Sequence, residues 1–380
     1  MKRIAYICTV ICIALILTAS VGAAEITYEK TPEAEDILVE GWQEIIEFLP
    51  DGIRTEAEEM DPAAGVGICE KIGFRYWLTQ FWKGAEEALG AALPDMLPLF
   101  SMILFLAAVE LSMESWQNSA LKKPFGVLSA LASSVMLFGM TEGIMQRAQI
   151  FLNRICGVMN LLVPVMEGLY LAGGNLTQKA VTTEAVMIAV SLIGNFTGKL
   201  LAPLTHLLFV LSCLAGSCPD VRIGGFTGGL RKFIMRLWQF GTLLFSFLLG
   251  VQSILAKSAD SLAAKTARFT IGSFIPMAGG VISEAFSTLT EGISVLKNAA
   301  GIGGIVVILL ILIPGILPLV LYRCVLSLAE SSAEMLSLGS MRGMLADVHG
   351  ITDMLFAFVL YTALMFILVI VIFTKAQAGV

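Results

Sequence analysis

The chain has 380 residues, of which 57% are hydrophobic and only 14% charged, and its mean hydropathy is +0.85. Soluble domains are about 45–50% apolar and about 25% charged, so a soluble globular domain, a disordered chain, a collagen-like repeat and a disulfide scaffold are excluded. A polytopic, all-α membrane protein remains, and the net charge of −6 argues against nucleic acid, which selects a basic face.

Residues 1–24 read as a signal peptide. Lys2 and Arg3 give the positive start, Ile4 to Leu17 the apolar stretch, and Ser20-Val21-Gly22-Ala23-Ala24 the small residues that precede cleavage. No Cys stands at the cleavage position, which argues against a lipoprotein. An uncleaved first span is the other option, and on either one the next segment lies outside the cytoplasm.

That segment, residues 25–92, holds fourteen acids between Glu25 and Glu70. It reads as two short helices. Thr31-Pro32 supplies an N-cap and first-turn pair, Ile37, Leu38, Trp42, Ile45, Ile46 and Leu49 recur at helical spacing, and Asp51-Gly52 stops the run. The second carries Ile72, Phe74, Tyr76, Trp77, Leu78, Phe81 and Trp82 with Lys71, Arg75 and Lys83 between them. Aromatic residues beside basic ones suit a membrane–water interface. The pair fits either a small helical cap or a docking surface for an extracytoplasmic partner.

Residues 93–380 form a multi-spanning helical domain. Apolar runs of about 20 residues mark spans at Leu93–Leu111, Phe125–Ile144, Ile150–Ala172, Phe233–Leu255, Ile302–Leu321 and Met354–Phe373. Residues 184–217 fit a tight hairpin broken near Lys199 to Pro203, or one long kinked helix. Residues 269–286, interrupted by Pro276, Gly279 and Gly280, fit a span or a re-entrant element. The count is about six to nine spans. Lys122 and Lys123, and then Arg222, Arg231, Lys232 and Arg236, mark cytoplasmic loops if 184–217 is a hairpin. Lys257, Lys265, Arg268 and Lys297 do not fit that topology. Pro203 with Pro318, and Pro164 with Pro276, sit in similar local contexts, a weak echo of the repeats found in many transporters.

Enzyme signatures are sparse. There is no phosphate loop, no HExxH and no GxSxG, and only His206 and His349 are present to serve a metal or a triad. No catalytic residue, cofactor or metal is expected. His206, in an apolar run, fits an imidazole satisfied by a neighbouring carbonyl better than a proton relay. Ser294 and Lys297 have SxxK spacing without its companion motifs. Gly224 to Lys232 is a glycine-rich approach to a basic helix start, best read as a cytoplasmic loop, since no strand precedes it. The five cysteines after the signal form no CxxC pair and read as apolar fillers. Asp95, Glu110, Arg154, Glu167, Lys199 and Arg236 fall in or near apolar runs, where charge is costly unless paired or wet.

The most informative stretch runs from Lys257 to Gly301. It places Asp260, Lys265 and Arg268 just before Gly272-Ser273-Phe274-Ile275-Pro276-Met277-Ala278-Gly279-Gly280. Pro276 removes a backbone donor, and Gly279-Gly280 lets chains approach closely. Irregular backbone at membrane depth persists only inside protein or beside water. Asp260, Lys265, Arg268, Pro276, Gly279 and Gly280 are therefore the structural or pore-lining candidates, against an ordinary surface hairpin.

The run KSADSLAAKTARFTIGSFIPMAGGVISEAFSTLTEGISVLKNAAG, with the signal, the acidic stretch and the polytopic body, resembles the stage III sporulation protein AE family. The resemblance covers most of the chain and matches the first 90 residues only loosely. It implies a non-enzymatic component of the channel or export complex between mother cell and forespore, set in the mother-cell membrane around the forespore. It implies as partners the other stage III sporulation A-series membrane proteins, a secretion-type ATPase and stage II sporulation protein Q. It supplies no catalytic motif. The alternative from the residues alone is an independent small-solute permease with a midplane site at the broken helices.

Overall fold

A computed structural model describes residues 32–47, 54, 74–115, 119–172, 176–217, 225–245, 247, 251 and 279–375. Among them every regular element is helical. They are α1 (Pro32–Ile46), α2 (Phe74–Ser115), α3 (Ser119–Ala172), α4 (Leu176–Asn195), a π turn (Phe196–Leu201), α5 (Ala202–Ser217), α6 (residues 225–245), α7 (Gly279–Met335) and α8 (Gly339–Lys375). The signal region and most of the acidic stretch lie outside the described residues.

Five stretches are long and apolar enough to cross a membrane: Ala92–Ser112, Pro124–Leu169, Val186–Ala215, Gly303–Met335 and Gly339–Val371. Two of them redraw the sequence expectation. The runs 125–144 and 150–172 belong to one helix, because the intervening Met145, Gln146, Arg147, Ala148 and Gln149 are all helix formers and no breaker separates them. Residues 176–217 are a kinked helix and not a hairpin. Pro203 cannot donate to the carbonyl of Lys199 and its ring crowds that group, so the backbone widens into the π turn just before it. The two differences cancel in direction, so α3 and α6 still run the same way, while the glycine-rich stretch expected as a loop is helical from residue 225 and Arg231 packs on Gly350 of α8.

Contacts fix that alternation. Gly84 approaches Pro314 and Leu317, and Asp95 meets Tyr322, so α2 and α7 run parallel. Leu162 lies on Gly304, Phe151 on Gly315 and Arg147 on Tyr322, so α3 runs antiparallel to α7. Helix α8 returns along α7, and α6 runs parallel to α8 through Trp238–Phe358 and Gln239–Tyr361.

The α7–α8 hairpin is the core. Its two stretches have hydropathies of 3.0 and 2.8 and are 56% and 72% buried, whereas the other three have 1.5 to 1.9 and are 28% or 29% buried. The most apolar helices face protein. The outer helices turn Leu97, Leu104, Phe105, Val135, Leu192, Val210, Phe233 and Leu243 outward, as lipid-facing surfaces do. Turn 336–338 closes the hairpin as a Schellman motif: Leu338 N–H donates to Ala333 and Ser337 N–H to Glu334, with Ser337 at φ 59°. Helix α1 seals one end. Its stripe of Trp42, Ile45 and Ile46 is buried, with Gly41 against Val165 and Trp42 against Gly303.

Candidate functional site: a polar layer at mid-height

Charged side chains collect at one level of the bundle. Arg147 sits at the middle of Pro124–Leu169, Tyr322 and Arg323 near the middle of Gly303–Met335, and Asp353 near the middle of Gly339–Val371. Charges at that depth are expensive, persist when paired, and mark functional positions in membrane proteins.

Three helix pairs carry the layer. Between α7 and α8, Arg323 makes an ion contact with Asp353 that is not aligned as a hydrogen bond, and its guanidinium lies 4.9 Å from the Phe356 ring centre. The same Asp353 carboxylate is 3.8 Å from His349 Nε2, and His349 Nδ1 is 3.4 Å from Glu330. All four side chains are partly buried. Between α3 and α5, His206 Nε2 is 2.8 Å from Glu142 Oε2, and Gln146 donates to the other carboxylate oxygen at 3.0 Å. The imidazole partner is thus a carboxylate 64 positions away rather than a carbonyl. Between α6 and α8, Arg231 donates to the Asp347 carbonyl at 3.4 Å and Gln239 to the Tyr361 hydroxyl at 2.7 Å. A Cβ at Gly350 would occupy the Arg231 guanidinium, so that glycine makes room for the contact. Buried hydroxyls at Thr141, Thr205 and Thr352 bond the carbonyl four residues back and need no cross-helix partner.

The fourth group borders a cavity. The Tyr322 hydroxyl donates to Asp95 Oδ2 at 2.6 Å, and the Arg147 guanidinium lies 5.9 Å from the Tyr322 ring centre. Beside it a cleft of about 220 Å³ opens between α2, α3 and α7, lined among others by Glu87, Arg147, Arg154, Pro314 and Pro318. The two prolines remove backbone donors from α7 at the wall of this cleft.

Of the sequence candidates, Asp260, Lys265, Arg268 and Pro276 lie outside the described residues. Gly279 and Gly280 are the first residues of α7, and their surroundings also lie outside the description. Asp95 is brought to Tyr322 at mid-height, and Arg154 lies two turns from Arg147 at the same cleft. Lys199 is exposed on the π turn and Arg236 is exposed on α6. The sequence did not single out Arg147, Arg323, Glu330 or Asp353. Arg147 was hidden because a span of about 20 residues cuts the long helix there. A flag on every charge inside a continuous helix-forming apolar stretch would have found it. Among the described residues no group of three His, Cys, Asp or Glu side chains could hold a metal ion.

A buried hairpin of two apolar helices, outer helices with lipid-facing surfaces and a polar layer between them define a multi-pass helical membrane protein. Its family is shown by comparison. The model of the family described as "Stage III sporulation protein AE" matches residues 70–377, and the chain belongs to that family. The curated stage III sporulation protein AE of Bacillus subtilis (strain 168) is 20% identical over 213 residues, 56% of this chain and 53% of that protein. The chain thus aligns with about half the length of that relative. No solved structure matches.

Proposed function

We propose that the chain is a non-enzymatic integral membrane component of the channel or export complex linking mother cell and forespore. It is needed for late forespore development and gene expression. The family match over residues 70–377 carries the proposal and its placement in the mother-cell membrane around the forespore, and the five long apolar helices support a place in a bilayer. On this reading the acidic segment meets partners between the membranes, stage II sporulation protein Q among them. The basic helix starts face the mother-cell cytoplasm, where a secretion-type ATPase docks. The other stage III sporulation A-series proteins share the bilayer.

The test is deletion in the native host, scored with a late forespore-specific reporter after engulfment. Loss of late expression with normal early expression supports the proposal; normal late expression and normal spore yield overturn it. Pro276→Ala and Gly280→Leu are expected to lower spore yield, and wild-type yield in both removes residues 257–301 from the functional account.

The mid-height cleft favours a second reading, a small-solute permease. That reading expects solute flux through proteoliposomes holding this chain alone, where a scaffold moves nothing.

A further inference from the structure

We infer that the cleft between α2, α3 and α7 is a binding site for an oxyanion, a phosphate or carboxylate group held by Arg147 and Arg154. This goes beyond the channel proposal and does not depend on it.

The argument starts from unequal treatment of arginines. Arg323 meets Asp353 and Arg342 meets Glu334. Arg147 has no such carboxylate among the described residues. Its Nε is buried without a hydrogen-bond partner, and the rest of its guanidinium meets the neutral Tyr322 side chain, at its hydroxyl and over its ring. The nearest acid in that group, Asp95, already accepts the Tyr322 hydroxyl. A guanidinium with no carboxylate of its own at the middle of an apolar stretch carries a standing cost. A bound anion removes that cost through charge-assisted hydrogen bonds from a planar, forked donor.

The geometry suits this. Arg154 follows Arg147 by seven residues, two turns on the same helix face and about 10 Å along the axis, and both line the cleft. Two long side chains can converge on one group from those positions. The opposite wall cannot collapse inward: a Cβ at Gly315 would enter the Phe151 ring, and one at Gly84 would come 2.9 Å from Leu317, so these helices are already in contact beside the cavity. Glu87, on the third wall, is the one carboxylate lining the cleft. It opposes the anion, or receives an amino group carried by the same ligand.

A phospholipid headgroup and an aqueous phosphate or carboxylate share this chemistry, and the experiment separates them. The full chain is purified in detergent. It is titrated with inorganic phosphate, followed by thermal unfolding, and exchanged into phosphatidylglycerol or phosphatidylcholine vesicles, with retained lipid read by native mass spectrometry. Saturable stabilisation by phosphate identifies an aqueous anion. Selective retention of phosphatidylglycerol without a phosphate effect identifies a headgroup, and both results support the site. Arg147→Gln and Arg154→Gln are each expected to weaken binding about tenfold or more, and Arg147→Lys less, since a point charge lacks the fork. Glu87→Gln is expected to tighten it about threefold or more by removing a like charge. Arg154 and Glu87 are exposed, so their variants test the site even if Arg147→Gln fails to fold. Absence of both saturable phosphate binding and selective lipid retention overturns the inference, as does binding unchanged in Arg154→Gln and Glu87→Gln.

Discussion

Asp353 touches both Arg323 and His349, and it is where a single atom change is most informative. Asp353→Asn leaves Arg323 without its ion contact inside an apolar hairpin. It is expected to destabilise the protein by about 3 kcal/mol, read as a lower unfolding temperature in detergent. The double variant Arg323→Met with Asp353→Leu removes both charges and is expected to recover most of the loss, since an apolar pair of similar size avoids desolvation altogether. Equal destabilisation in the single and double variants would show that the contact itself, and not an orphaned charge, sets the cost. The sequence shows that Asp95 and Arg154 are charges out of place, because hydropathy is local. It does not show their surroundings: Asp95 finds Tyr322 at a separation of 227 positions, and no periodicity encodes that.

At the scale of the elements, helix existence was legible and helix continuity was not. Apolar runs located the membrane stretches, but a rule tuned to one bilayer thickness divided α3 at its polar middle and left residues 184–217 open. The chemistry that settles both is short-range: helix formers without a break in one case, one proline in the other. Pro203→Ala restores a donor and relieves the crowding at Lys199. It is expected to straighten the π turn, seen as a changed distance between spin labels at positions 188 and 214. Ser337→Gly is expected to stabilise the hairpin by about 1 kcal/mol, because a left-handed residue other than glycine carries a penalty of that order. Unchanged thermal unfolding would show that the turn does not limit stability. Gly315→Val is expected to cost about 2 kcal/mol or more by forcing Phe151 out of place. Gly143→Val, where a Cβ meets nothing within 4 Å, is the control and is expected to be nearly neutral.

The whole molecule is a layered object: an apolar hairpin inside, less apolar helices outside, polar contacts across the middle. Composition alone fixed the class, and the polar layer was the part that only packing could assemble. Alternation of the helices makes a further expectation. In a cysteine-free background, single cysteines at Ser119 and Ser337 are labelled from one side of the membrane by an impermeant thiol reagent, and one at Ala172 from the other. Labelling of all three from the same side would contradict the directions fixed by the α3–α7 and α7–α8 contacts. The lengths of the helices have one more consequence. With 54 and 57 residues, α3 and α7 are about 80 Å long, against a hydrocarbon core of about 30 Å. Each is tied to its neighbours at mid-height, which makes it a lever with its fulcrum in the bilayer. A swing of about 10° about that point carries the two tips roughly 7 Å in opposite directions. The ends of one helix on the two faces are thereby geometrically linked.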